Sequence, residues 1–237
     1  LLEEADSLNM DGVISDLENK WKLKIDSKEI GEEASVIEIN GYTIAIGNMS
    51  VPIPGDEIKE TAEYSYFWKN GVEEATKHQG HVIVSIMNTG KNPIKENILF
   101  SQIASSMLAN SQSLGIYIGE RTLLLQKEFY IENVQSMSED DLPLYIWIYF
   151  GLRQEGRKQS IFTYGLNDFG KKEMEIVNSR KSFDDLSSMM FNLTHYILAS
   201  DVVLQNGETI GVSAEQKLRI SESKGIFLDG RTLKINY

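Results

Sequence analysis

The chain has 237 residues, 35 acidic against 23 basic side chains, a formal net charge of −12 and no cysteine. A globule of this length buries roughly 70% of the surface its unfolded chain exposes, and a 41% hydrophobic content supplies a core, which excludes global disorder. The missing cysteine excludes disulfides, thiolate nucleophiles and thiolate metal ligands, and no run reaches the roughly 18 apolar residues of a membrane span.

Residues 1–6 can end a strand, and Asp11 can cap a helix running to about 21, with Val13, Ile14, Leu17 and Trp21 on one stripe. Residues 24–33 are polar and read as a loop. Two β-prone runs, 35–39 and 42–46, flank Asn40-Gly41, the dipeptide of a type I′ hairpin in which both central residues need positive φ. The prolines at 52 and 54 stop the sheet. A helix is expected over about 67–77. The nearly continuous apolar run 81–87 reads as a central strand covered on both faces. Asn92-Pro93 opens a helix to about 109, with Asn as cap and Pro at the first helical position.

A strand is expected at 114–118, while 120–136 suits helix or strand. The run 144–150 (Leu-Tyr-Ile-Trp-Ile-Tyr-Phe) carries the strongest strand signal. Residues 151–159 read as a turn, and 160–164 and 172–177 as strands. Ser182 and Asp185 form a capping-box pattern ahead of Leu186, Met189, Met190, Leu193 and Ile197, so a helix is expected over 183–199. Hairpins are expected at Asn206-Gly207, between 202–204 and 208–210, and at Asp229-Gly230, between 226–228 and 233–235.

Strict strand–helix alternation is missing, which argues against a doubly wound parallel sheet. The expected class is α+β: mixed, mainly antiparallel sheets with packed helices. Residues 1–110 would form an acidic half and 111–237 a second α+β half, either as two similar halves from a cryptic duplication or as one compact unit.

Residues 142–152 (Leu-Pro-Leu-Tyr-Ile-Trp-Ile-Tyr-Phe-Gly-Leu), 162–176 (Phe-Thr-Tyr-Gly-Leu-Asn-Asp-Phe-Gly-Lys-Lys-Glu-Met-Glu-Ile), 201–211 (Asp-Val-Val-Leu-Gln-Asn-Gly-Glu-Thr-Ile-Gly) and 213–217 (Ser-Ala-Glu-Gln-Lys) together resemble the bacterial family known as domain of unknown function 4261. The resemblance implies an intracellular bacterial protein and brings no catalytic residues with it. The cysteine-free composition suits the cytoplasm, and Leu1 in place of Met suits a fragment or a processed chain.

Residues 1–80 hold 17 acidic and 7 basic side chains, so −10 of the −12 lies there. Such a surface repels a phosphate backbone, which disfavours nucleic acid, and serves either as a solvated face or as a patch for a basic protein. No phosphate-cradling glycine loop and no serine elbow is present, and no cofactor is implied. His78 and His81 form the one close histidine pair, a weak candidate for zinc. Glu173 and Glu175 fall on one face of a strand over 172–177 and could share acid–base work if burial split their pKa values; Glu208 and Glu215 stand near the end of the chain. Tyr164 and Phe169, each beside a glycine, could line a groove. Arg153, Arg157, Lys158, Lys171 and Lys172 would make a positive patch if turns 151–159 and 165–171 were adjacent. His195 lies beside the apolar stripe of its helix. The favoured expectation is a non-catalytic interaction or accessory protein, with a protein partner or self-association. The alternative is an enzyme or binding protein for a small ligand, using carboxylates or His195 in an aromatic-lined cleft.

Overall fold

The computed structural model of the protein describes residues 1–138, 141–211 and 217–237, and the chain divides into two compact units, Leu1–Met137 and Ser138–Tyr237. The boundary expected between 110 and 111 falls inside the first unit. Glu215 lies outside the described residues.

The first unit opens with Leu2, bridged to Gly80 and Ser113. Helix α1 (Met10–Asn19) is capped by Asn9, whose side chain accepts from the Gly12 amide, rather than by Asp11, which stands in the first turn. Val13, Ile14 and Leu17 point inward. Trp21 lies past the helix end and donates its indole N–H to Ser106 at 2.9 Å. The polar stretch expected as a loop contains β1 (Ile25–Ile30), which pairs antiparallel with β2 (Ala34–Ile39). The ladder, not periodicity, makes it a strand. A tight turn with Asn40 at φ 52° and Gly41 at φ 76° leads into β3 (Tyr42–Met49), as a type I′ hairpin requires. Two short helices follow, α2 (Glu57–Ala62) and α3 (Gly71–Ala75), then β4 (His81–Ile86).

The sheet order β1-β2-β3-β4, all antiparallel, makes β4 an edge strand with Ile83 53% exposed. This corrects the central placement. Its run of apolar residues covers one buried face and one open one. Helix α4 (Pro93–Ala109) begins as expected, with Asn92 accepting from the Lys95 amide at 3.0 Å. The inner sheet face, Ile37, Ile39, Ile44 and Ile46, packs against Val13, Ile14 and Leu17 of α1 and Leu99, Ile103 and Met107 of α4. The ambiguous 120–136 divides between both states. Strand β5 (Gly115–Ile118) pairs with β6 (Leu123–Gln126), and α5 (Lys127–Ser136) follows.

In the second unit the strongest strand signal is overturned at its start: α6 (Leu144–Trp147) is a helical turn with Leu144, Ile146 and Trp147 buried. A fully apolar run has no period, so it cannot separate a buried turn from a buried strand. The strand begins later, as β7 (Tyr149–Glu155), and pairs with β8 (Lys158–Tyr164) around Gly156 at φ 59°. Residues 151–159 are therefore mostly ladder rather than turn. Strand β9 (Met174–Ser179) follows, then α7 (Phe183–Ala199), whose capping box between Ser182 and Asp185 is present on both sides. Strands β10 (Thr209–Gly211), β11 (Lys217–Lys224) and β12 (Arg231–Ile235) complete the sheet.

The order of this sheet is β10-β11-β12-β9-β8-β7, antiparallel except for the parallel pair β12–β9. Gly207 does turn, at φ 89°, but residues 202–204 form no strand, and β10 pairs with β11 instead. The last hairpin closes around Gly230 with β11, not 226–228, as its first strand. Both units are α+β with helices on mainly antiparallel sheets.

Candidate functional site

Glu173 and Glu175 are buried and stand one residue before β9 and within it. Glu173 accepts from the Thr163 hydroxyl at 2.7 Å and from the amides of Gly165 at 2.8 Å and Asn167 at 3.3 Å. It thereby fixes the 3₁₀ turn Leu166–Phe169, whose flanks need left-handed backbone at Gly165 and Gly170. Burial pushes its carboxyl up, against these donors. Glu175 accepts from the Ile226 and Phe227 amides at 3.1 and 3.0 Å, from the Thr232 hydroxyl at 3.1 Å and from the Lys234 ammonium at 2.6 Å. Burial opposes its charge, but Lys234 and the two amides prevail and hold it below the usual range. Burial raises both carboxyls, and the Lys234 ammonium with its neighbouring amides brings only Glu175 down, so the two are split in the manner of an acid–base pair; yet their donors tie two turns to β9 rather than face a reactant.

The other expected residues do not gather around a cleft with them. Phe169 is buried and stacks on Trp147 with centroids 5.7 Å apart, so it is core and lines no groove. Tyr164 is half-buried and sits across the ladder from Tyr149. Arg153 lies 5.5 Å over the Phe162 ring and donates to the Leu152 carbonyl at 2.9 Å. Arg157 is exposed at the β7–β8 turn. That turn and 165–171 lie at opposite ends of β8, about 20 Å apart for seven extended residues, so the positive patch does not form. Two of its lysines are engaged in ion pairs: buried Lys171 with Asp201, and Lys172 with Glu222, both at 2.6 Å. The His195 Nε2 accepts from the Leu142 amide at 3.4 Å.

In the first unit His78 is buried, with Nδ1 donating to the Ala75 carbonyl at 2.7 Å and Nε2 accepting from the Ile53 amide at 2.9 Å. Burial lowers its pKa, and both ring nitrogens are used. His81 Nδ1 lies 2.8 Å from the Val51 carbonyl. The pair clips the Pro52–Pro54 segment to the unit instead of converging on a metal, and no metal-holding cluster of three or more such side chains stands among the described residues.

Two surfaces that sequence reasoning missed are better formed. In the second unit a groove of about 680 Å³ runs between α7 and β10, lined by Met189, Leu193, Tyr196, Ile210 and Tyr237 with polar neighbours. In the first unit the outer face of the sheet is uncovered. The register aligns Ala34, Gly47 and Ile83 in one cross-strand row and Val36, Ala45 and Ser85 in the next. Glu38 and Thr43 form a third row, extended by Met87, whose amide bonds the Thr43 carbonyl at 2.9 Å. Val36 is 41% and Met87 66% exposed. Antiparallel sheets with one solvated face normally carry polar side chains there. This one sets exposed Val36, Met49, Ile83 and Met87 and small Ala34, Ala45 and Gly47 among polar Ser27, Glu29, Glu38, Thr43, His81 and Ser85, with the two carboxylates on β1 and β2. The alternation along β2 hid this, because an apolar residue on either face looks the same in a β-rich run.

No helix among the described residues is long and apolar enough to cross a membrane. No curated protein and no solved structure matches the chain. Residues 162–236, which reach from β8 through β12, match the family described as Domain of unknown function (DUF4261).

Proposed function

We propose that the protein is a non-catalytic interaction protein that docks a partner protein on the outer face of its β1–β4 sheet. The observation that carries this reading is the uncovered outer face, where Val36 on β2 and Ile83 and Met87 on the β4 side stand exposed across β3. Contiguous exposed apolar surface marks interaction sites in soluble chains. The engagement of Glu173, Glu175 and His78 in turns and clips supports the same reading, since these groups serve the fold.

The test is capture from native lysate with the wild-type chain and with Ile83→Asp, compared by quantitative mass spectrometry. Ile83 is on the open side of an edge strand, so the variant keeps the core. A set of proteins captured by wild type and lost with Ile83→Asp is expected. Identical capture by both would sink the reading. A second reading, a small-ligand site, is favoured by the volume of the α7–β10 groove, which falls within the usual range for ligand pockets. Leu193→Arg should then abolish any ligand-induced thermal shift found in a metabolite screen.

A further inference from the structure

We infer that the partner is a basic amphipathic helix, laid along β3 with its backbone close to Gly47; this rests on the outer face being the docking surface. Gly47 is the first observation. Its φ is not positive, and a Cβ added there would meet nothing within 4 Å. The fold therefore requires glycine at this position neither for conformation nor for space. Contrast Gly151, where a Cβ would fall 2.1 Å from the Phe162 ring. A glycine inside a strand weakens it, and its recurrent use is to let another backbone approach. Gly47 lies on the outer face between Ala34 and Ile83.

The shape around it is the second observation. Along β3 the outward positions are Thr43, Ala45, Gly47 and, at the strand's end, Met49; beside the first three stand Glu38, Val36 and Ala34 on β2 and Met87, Ser85 and Ile83 on the β4 side. Thr43, Ala45 and Gly47 on the middle strand lie lower than Glu38 and Val36 on one side and Met87 and Ile83 on the other, which makes a shallow trough along β3 that Met49 closes at one end. The two flanking strands are about 9.6 Å apart, twice the inter-strand spacing, and a helix with its side chains is about 10–12 Å across.

Charge chooses the kind of helix. The outward positions of β1 and β2 include Glu29 and Glu38, and none of the outward strand positions holds Lys or Arg. The first 80 residues carry −10. A second copy would bring the same carboxylates and the same −10 to the contact. A helix with an apolar stripe edged by Lys or Arg meets both the trough and the carboxylates.

The probe is a fluorescein-labelled helix-forming peptide of about 15 residues, with a Leu/Ala stripe edged by Lys, and a twin with Glu in place of Lys. Binding is read by anisotropy against the wild-type chain and against Gly47→Val. Valine suits a strand, so Gly47→Val should melt no lower than wild type. The Lys peptide should bind wild type roughly tenfold or more tightly than the Glu peptide and weaken as salt is raised. Gly47→Val should lose about tenfold through steric overpacking. Equal binding of both peptides, or equal binding of the Lys peptide by wild type and Gly47→Val, overturns the inference. So does a wild-type dimer in sedimentation that Gly47→Val dissolves, which would make a second copy the occupant. If the peptide results fail while Ile83→Asp still abolishes lysate capture, only the partner's chemistry is wrong. If Ile83→Asp changes nothing in the capture, the docking surface itself is wrong.

Discussion

Replacing Glu175 by Ala removes one acceptor from four donors at once: the Ile226 and Phe227 amides, the Thr232 hydroxyl and the Lys234 ammonium. Removing one partner of a buried ion pair costs about 3–5 kcal/mol, and an orphaned neutral donor about 1–3 kcal/mol. These do not simply add. The Lys234 side chain is 17% exposed and can turn toward water, and the vacated space can admit water to the amides. A net loss of about 4 kcal/mol is expected for Glu175→Ala. Glu175→Gln keeps the volume and a carbonyl for the amides but not the charge, and should cost about 2 kcal/mol. Adding Lys234→Met to Glu175→Gln should recover part of that loss, since the pair is then replaced rather than broken. Urea denaturation of the full chain gives the magnitude, and amide hydrogen exchange in β9 and residues 225–230 localises it. The charge adds a pH signature. Glu175 is held below its ordinary value of 4.5, so its contribution is complete above that pH and is lost as pH falls through the folded value. A cost under about 1 kcal/mol for Glu175→Ala would refute the view that this carboxylate staples the last hairpin to β9.

Glu96 collects the amides of Gly90, Lys91 and Asn92 at 3.0, 2.8 and 3.1 Å, and Glu96→Ala should cost about 1–3 kcal/mol in thermal or urea unfolding. Glu173 behaves with the opposite sign: burial raises its pKa, so its ionisation opposes folding, and the stability of Glu173→Gln relative to wild type should improve as pH rises from about 4 to about 7. His78 is held neutral by burial, below its ordinary 6.5, so its contribution is present above that pH and lost as pH falls beneath it; the wild-type melting temperature should drop between about pH 7 and 5 more than that of His78→Gln. Gly151→Ala places a methyl 2.1 Å from the Phe162 ring and should destabilise the β7–β8 hairpin by about 1–3 kcal/mol, read as a lower melting temperature.

The features legible in the sequence were those whose chemistry is local. Asn40-Gly41 specifies its turn because two successive positive φ angles admit few residues. Ser182 with Asp185, and Asn92 with Pro93, specify helix starts because the caps satisfy amides within four residues. What failed depended on partners far along the chain. The strand character of 25–30 comes from pairing with β2, and the helical turn at 144–147 comes from burial on all sides. Asn206-Gly207 kept its turn but lost its hairpin, because β11 lies beside β10 and no strand precedes the turn. Glu173 and Glu175 were visible as a spaced pair, but their donors come from as far along the chain as Thr232 and Lys234, which no spacing reveals. The open face was hidden by ambiguity: Val36 and Ile83 are β-prone on either side of a sheet, and only the register with Ala45 and Gly47 puts them outside.

The uneven charge gains a physical role from that face. Among the described residues, nine of the twelve large apolar side chains left exposed belong to the first unit, and the first 80 residues carry −10 of the charge. An open apolar face beside an edge strand invites self-association. Like charge on every copy opposes that association, because bringing two such faces together concentrates carboxylates on a surface without compensating cations. The same charge lowers the barrier for a basic partner and raises it for an acidic one. On the proposed docking role, resistance to self-association and partner selectivity draw on a single feature, the acidity of the first 80 residues. The second unit, near charge balance, instead uses its buried carboxylates internally, at Glu173 and Glu175, to hold turns on β9.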